Sequence, residues 1–173
     1  FSFGSTVDNA VNLVAGTDTN YAAVYHPWVK LYDDPTAKLV WVPPSVVMPG
    51  VYAFNDKVAA EWFAPAGLNR GGIDVAVQVE KRLTRQNRDD LYEGRVNPIA
   101  LFPGQGVVAF GQKTLQVKPS ALDRVNVRRL LITVKKFIAS AARYLVFEQN
   151  VEATRQRFLN IANPYLASVQ ERS

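Results

Sequence analysis

The alternation of apolar and polar positions is clearest between Asp123 and Asn150, DRVNVRRLLITVKKFIASAARYLVFEQN. Val127, Leu130, Leu131, Val134, Phe137, Ile138, Ala141, Tyr144 and Leu145 recur at spacings of three and four. That places them on one stripe of an α-helix about five turns long. Arg128, Arg129, Lys135, Lys136 and Arg143 fall between them and predict a basic opposite face. A stripe this wide needs cover from the rest of the chain.

Other segments carry shorter patterns. Ser5, with Asp8 three residues on, predicts a cap for a helix carrying Val7, Ala10, Val11 and Val14, with Gly16 as its stop. Tyr21 to Leu31 is aromatic and β-branched and reads as one strand, with Pro27 marking a sheet edge or bulge. Asp33-Asp34-Pro35 is a turn, and Lys38 to Val42 a short buried strand stopped by Pro43-Pro44. Ser45 is the expected cap of a helix through Val47, Val51, Phe54 and Val58, with Pro49 near its first turn. Glu61 to Gly67 is a loop with two exposed-looking aromatics. Ile73, Val75, Val77 and Val79 alternate with more polar neighbours, the pattern of a half-buried strand.

Thr84 to Glu93 predicts a short helix turning Leu91 and Tyr92 inward. Ile99 to Phe102 and Val107 to Phe110 flank Pro103-Gly104-Gln105-Gly106 as a hairpin. Asn150 is the expected cap of a last helix, Val151 to Val169. Phe158, Leu159, Ala162, Tyr165, Leu166 and Val169 face inward, and Pro164 kinks or splits it. The fold class expected is mixed α/β (α+β): one mixed sheet with flanking helices, a long amphipathic helix near 126–146 and a second C-terminal helix. The only candidate boundary lies near Arg95-Val96-Asn97, with both halves sharing a core.

Composition narrows the function. The chain has 173 residues, no cysteine and one histidine. That length supports a sizeable core without disulfide or metal. The absence of cysteine fits a reducing compartment or indifference to redox state, and it rules out thiolate metal sites. One histidine leaves no multi-histidine cluster. No apolar run approaches the ~20 residues of a membrane span. The chain opens on Phe1-Ser2-Phe3, without Met or a signal-peptide pattern, and reads as a fragment or processed product. Net charge is +5. Lys113 to Arg143 holds eight Lys or Arg against one Asp, so the remainder nets −2. A one-sided basic segment suggests an acidic partner.

The chemical candidates are weak. Gly106 to Thr114 resembles a phosphate loop, but Gln112 separates Gly111 from Lys113, and Val107 to Phe110 is a strand. His26 lacks an identifiable orienting carboxylate and reads as structural. Asp33-Asp34 and Asp89-Asp90 are adjacent pairs, which point apart on regular elements and read as solvated turn or helix charges. No catalytic, cofactor-binding or metal residue is therefore assigned. The basic helix is either a solvated face, a phosphate-binding face running from Arg128 to Arg143 in a nucleic-acid-binding domain, or a dock for an acidic protein surface. It lacks any familiar nucleic-acid-binding motif.

Several segments, in order, resemble contractile tail sheath proteins of long-tailed (myovirus-type) bacteriophages. They are Tyr21-Ala22-Ala23-Val24-Tyr25-His26-Pro27-Trp28, Val42-Pro43-Pro44-Ser45 with Asn55-Asp56, and Trp62-Phe63-Ala64-Pro65-Ala66-Gly67-Leu68-Asn69-Arg70-Gly71. Leu91-Tyr92, Asn97-Pro98-Ile99, Phe102-Pro103-Gly104-Gln105-Gly106 and Gly111-Gln112-Lys113-Thr114-Leu115 follow. Asn126-Val127-Arg128-Arg129-Leu130 and Phe147-Glu148-Gln149-Asn150 complete the set. The resemblance implies a structural, non-enzymatic protein without cofactor, located in the virion tail and assembled in the host bacterial cytoplasm.

It further implies subunits in stacked six-fold rings that polymerise around a tail tube and contract to drive the tube through the host envelope for genome delivery. The partners expected are other sheath subunits, the tube protein, and baseplate and tail terminator proteins, with no membrane and no nucleic acid. On that analogy 1–95 is the end of a subtilisin-like α/β portion and 96–173 a conserved C-terminal portion. The candidate tube or subunit interface is then Arg128, Arg129, Lys135, Lys136 and Arg143. The family continues past the segment like Tyr165-Leu166-Ala167-Ser168-Val169 into a glycine turn, a final β segment and strand-exchanging arms. A fragment without those arms is expected to be monomeric.

Overall fold

A computed structural model describes residues 1–172. The fold is mixed α/β, as expected, but its strands divide between two three-stranded sheets where one was anticipated. The chain forms two compact units, Phe1–Arg128 and Arg129–Ser173.

The first unit opens with α1 (Val7–Val14), capped by Thr6, whose hydroxyl accepts from the Asn9 amide, and not by Ser5. The expected long strand then breaks at Pro27, which follows a cis peptide bond. Its first part, β1 (Val24–His26), pairs parallel with β5 (Val96–Phe102). Its second part, β2 (Val29–Asp33), is the centre of another sheet, between β3 (Lys38–Val42) and β4 (Ala76–Val79). Proline here separates two sheets, a larger consequence than the edge or bulge expected, because it supplies no N–H to either ladder. β5 also pairs antiparallel with β6 (Gly106–Ala109), closing the predicted hairpin.

β3 has the predicted bounds but lies at an edge and is partly exposed. The alternation at Ile73 to Val79 does not make one strand. A turn in which the Ala76 amide bonds to the Ile73 carbonyl resets the phase. Ile73 and Val79 are buried while Val75 and Val77 face water.

Two apolar clusters use opposite faces of β5. Ile99 joins Tyr25, Val29, Val79 and Val107 under Val47, Met48 and Val51 of α2 (Pro44–Val58). Val96 joins Ala10 and Val14 of α1 and Leu91 of α3 (Arg85–Glu93). α2 begins with Pro44 as its first residue, where the missing N–H costs least, so Ser45 is not its cap. Pro49 lies a turn deeper than anticipated, inside the helix. Phe54 and Val58 face outward and Asn55 takes the inward position. α3 has Thr84 as its cap and buries Leu91 fully; Tyr92 is half-buried.

The motif-rich segments are hydrogen-bond junctions. Asn97 is fully buried; its amide donates to the Val24 and Lys113 carbonyls at 3.0 and 2.8 Å, and its oxygen accepts from the Lys113 amide at 2.6 Å. One side chain thereby ties β1 and β5 to the segment that leads to the long helix. Asn55 donates to the Ala60 and Phe63 carbonyls at 3.0 and 3.3 Å and fixes the loop after α2. In that loop Trp62 and Phe63 are half-buried, less open than the sequence suggests. Gly71 is required by close approach: a Cβ there would lie 2.5 Å from the Ala109 carbonyl oxygen.

The long helix α4 (Val125–Ala142) starts on Gln112, whose backbone and side-chain oxygens accept from the Val125 and Asn126 amides. In the second unit a 3₁₀ turn at Arg143–Leu145 follows α4, and α5 (Glu152–Glu171) continues unbroken through Pro164. Neither the predicted split nor the Asn150 cap is present; Val151 is the cap position. Phe137 and Tyr165 stack with ring centroids 3.8 Å apart. Ala162 and Val169 are buried, whereas Leu159 and Leu166 are exposed flanks of the stripe. The apolar stripe of α4 is half-buried, and Tyr144 at its end is 84 % exposed.

Candidate functional site

The five cations assigned to the α4 face do not share one environment. Arg128 is buried, with 8 % of its surface exposed. Its guanidinium donates to the Asn20 side-chain oxygen at 2.6 Å and lies 4.1 Å from the Tyr21 ring centroid. Asn20 in turn donates to Gln116 at 2.9 Å. Arg128 is therefore an anchor of the helix start, and the expectation that it crowns an exposed face is corrected. The helix wheel misses this because the polar side of the first turn of α4 is the side covered: Val125 and Arg128 are its buried residues. Arg129 is half-buried, and Lys135, Lys136 and Arg143 are exposed. Those three form the basic surface that remains.

The histidine and the lysine of the phosphate-loop-like segment are both committed to structure. His26 is 1 % exposed and stands edge-on to the Phe1 ring at 5.8 Å. Burial lowers its pKa to about 4, with Glu80 opposing and Lys81 assisting, so the ring is neutral at pH 7. The Lys113 ammonium donates to the Tyr92 carbonyl at 2.9 Å and sits 4.0 Å from that residue's ring centroid. Burial pushes its pKa below the ordinary lysine value, and Arg124 adds to the shift. Lys113 is half-buried over Tyr92 and holds no phosphate-cradle position. Asp34 lies in the β2–β3 turn and Asp89-Asp90 on α3, as the sequence indicated.

A second basic surface escaped the sequence reading. Arg82, Arg85 and Arg88 recur every third residue across the start of α3. Two grooves of about 550 and 560 Å³ border them. Arg85 and Arg88 line the first with Phe110 and Pro98, and Arg82 lines the second with Leu83 and Phe102. The Phe102 and Phe110 rings meet at 5.0 Å, and the Arg88 guanidinium covers Phe102 at 5.4 Å. The available signal was the three-residue arginine spacing beside a capping threonine. It was masked because Asp89, Asp90 and Glu93 make the helix look neutral overall.

Among the described residues, no group of three or more His, Cys, Asp or Glu could hold a metal ion. Among the same residues, no helix is long and apolar enough to cross a membrane. The fold and its surfaces define an α/β structure whose buried polar residues mainly knit the backbone and several of whose cations gather on helix faces.

Comparison with known proteins gives this class a family context. Over 153 residues the chain is 40 % identical to the tail sheath protein of Vibrio phage KVP40, covering 88 % of the chain and 23 % of that protein. It is 35 % identical over 163 residues to the tail sheath protein of Enterobacteria phage T4, covering 94 % of the chain and 24 % of that protein. Among solved structures, the contracted PVC sheath complex of an extracellular contractile injection system superposes with a TM-score of 0.84 at 32 % identity, over 98 % of this chain and 46 % of that one. No family model matches. The chain is similar to contractile tail sheath proteins over most of its length, and it spans about a quarter of the length of the curated relatives it matches.

Proposed function

We propose that the chain is part of a structural subunit of a contractile tail sheath. In this reading copies polymerise around a tail tube, and contraction drives the tube through the host envelope for genome delivery. The carrying observation is the identity of 40 % maintained over 88 % of the chain. Rigidity is what the role asks of the subunit, because contraction moves bodies past one another while interfaces exchange partners. Asn97 and the Gln112 cap support that rigidity, since each fixes separate segments with buried hydrogen bonds.

The partners in this reading are other sheath subunits, the tube protein, and the baseplate and terminator proteins, all within the virion tail. Residues 1–95 then belong to the end of the larger α/β portion and 96–173 to the C-terminal portion. Lys135, Lys136 and Arg143, with Arg129 beside them, are the cations offered to tube or neighbour. Burial of Arg128 subtracts from the competing phosphate-binding reading, which relied on the whole row of cations.

Electron microscopy of the full-length protein, purified alone, tests the proposal. Tubular polymers with helical six-fold symmetry are expected. Persistent monomers that bind DNA at physiological salt would overturn it.

A further inference from the structure

The arginine-lined grooves beside α3 have a complement on the same chain. Arg82 and Arg85 are exposed and, among the described residues, have no ion pair or side-chain hydrogen bond. Arg88 is held in place by its contact with Phe102 and a bond to the Leu83 carbonyl. Three cations thus face the grooves against one acid, Asp89, with apolar walls at Pro98, Phe102 and Phe110. Such a surface favours an acidic partner that also brings apolar side chains. Phe102 is engaged with both Phe110 and Arg88, and Phe110 keeps an exposed part that an apolar side chain of the partner can cover.

The β2–β3 hairpin supplies the opposite pattern. Its turn follows Asp33 and contains Asp34, and Lys38 stands across from Asp33. Directly behind, Tyr32 and Leu39 are cross-strand partners, and they are 52 % and 51 % exposed. An outward apolar pair at a hairpin tip has no covering element within its own unit. Asp33 accepts from the Thr36 hydroxyl, which orders the turn. The tip therefore carries two acids, one base and two apolar side chains, against three bases, one acid and three aromatic rings (Tyr92, Phe102 and Phe110) in the grooves. No hairpin residue lines either groove of the same molecule.

We propose that the β2–β3 hairpin tip of one copy docks into the arginine grooves of a second copy. Asp33 and Asp34 then face Arg82 and Arg85, and Lys38 faces Asp89. The two patches are different surfaces, so the contact is head-to-tail and extends into rings or filaments instead of closing as a two-fold dimer. This inference deepens the sheath reading and rests on it for the polymer that it helps to build.

Charge exchange in the full-length protein tests the contact. Arg82→Glu with Arg85→Glu should raise the protein concentration needed for tubes by roughly tenfold or more. Asp33→Lys with Asp34→Lys should do the same. Combining all four substitutions should restore assembly, which a folding defect would not allow. Tubes that ignore both reversals, or a combined variant no better than either alone, would overturn the contact while leaving the sheath reading intact. Loss of DNA retention on reversing the arginines would identify a phosphate site and also overturn it. Absence of tubes from the unaltered protein would sink the sheath reading itself.

Discussion

The two compact units treat apolar surface differently. In Phe1–Arg128 two clusters, one on each face of β5, bury residues such as Ile99, Val96 and Leu91 completely. In Arg129–Ser173 two helices leave much of their apolar surface in contact with water: Ile132, Leu159, Ile161 and Leu166 are exposed, as are Val146 and Phe147 between the helices. The first unit therefore has a core of its own, while a helix pair can bury only one seam. Helical periodicity reports which side chains avoid water in some state of the protein; it does not report what covers them.

Truncation separates the two regimes most sharply. Leu91→Ala removes a side chain that is fully buried between α3 and β5, and should cost about 3 kcal/mol through lost burial and the cavity left behind. Leu166→Ala, at 41 % exposure, should cost roughly 1 kcal/mol or less. Denaturant midpoints measured under one set of conditions give the comparison. Equal losses at the two positions would break it.

An effect of similar or smaller size comes from the one histidine, which belongs to the first unit. Its folded pKa of about 4 lies below the ordinary 6.5. Between those values the unfolded chain binds a proton that the folded chain does not. Stability is therefore complete above about pH 6.5 and is lost as the pH falls toward 4, by on the order of 3 kcal/mol at the limit. His26→Gln should flatten this part of the pH profile whatever it does to stability at neutral pH. An unchanged slope would show that the ring is not the titrating group.

Legibility in the sequence follows the same division. The β5–β6 hairpin and α3 were readable because local pattern and tertiary burial agree there, and the long helix because its period alone is sufficient. Pro27 was legible as a disruption, but its outcome, two strands in two sheets, depends on what β1 and β2 meet elsewhere. Val75 and Val77 look like a strand face, yet a turn stabilised by Ile73 and Ala76 moves them outward. Arg128 was misplaced for a related reason: its burial depends on Asn20 and Tyr21, more than a hundred residues away in sequence. The ordered motifs were found, but sequence could not say that Asn97, Gly71 and Gln112 are junctions of the backbone. That role rests on carbonyls and amides, which leave no residue pattern of their own.

The smallest effect is expected at Phe147, and it bears most directly on the difference between the units. The ring is fully exposed, so Phe147→Ala should change the stability of the unassembled protein by less than about 0.5 kcal/mol. A solvated phenyl ring gains nothing from packing, and its truncation leaves no cavity. Under the sheath reading the same substitution has a second readout, since an apolar ring that is free in one subunit can be buried against another. Unchanged melting together with weakened tubes would mean that the second unit completes its apolar contacts only by assembly. A stability loss above about 1 kcal/mol in the unassembled protein would place a covering element within the full-length chain and return the helix pair to the regime of the first unit.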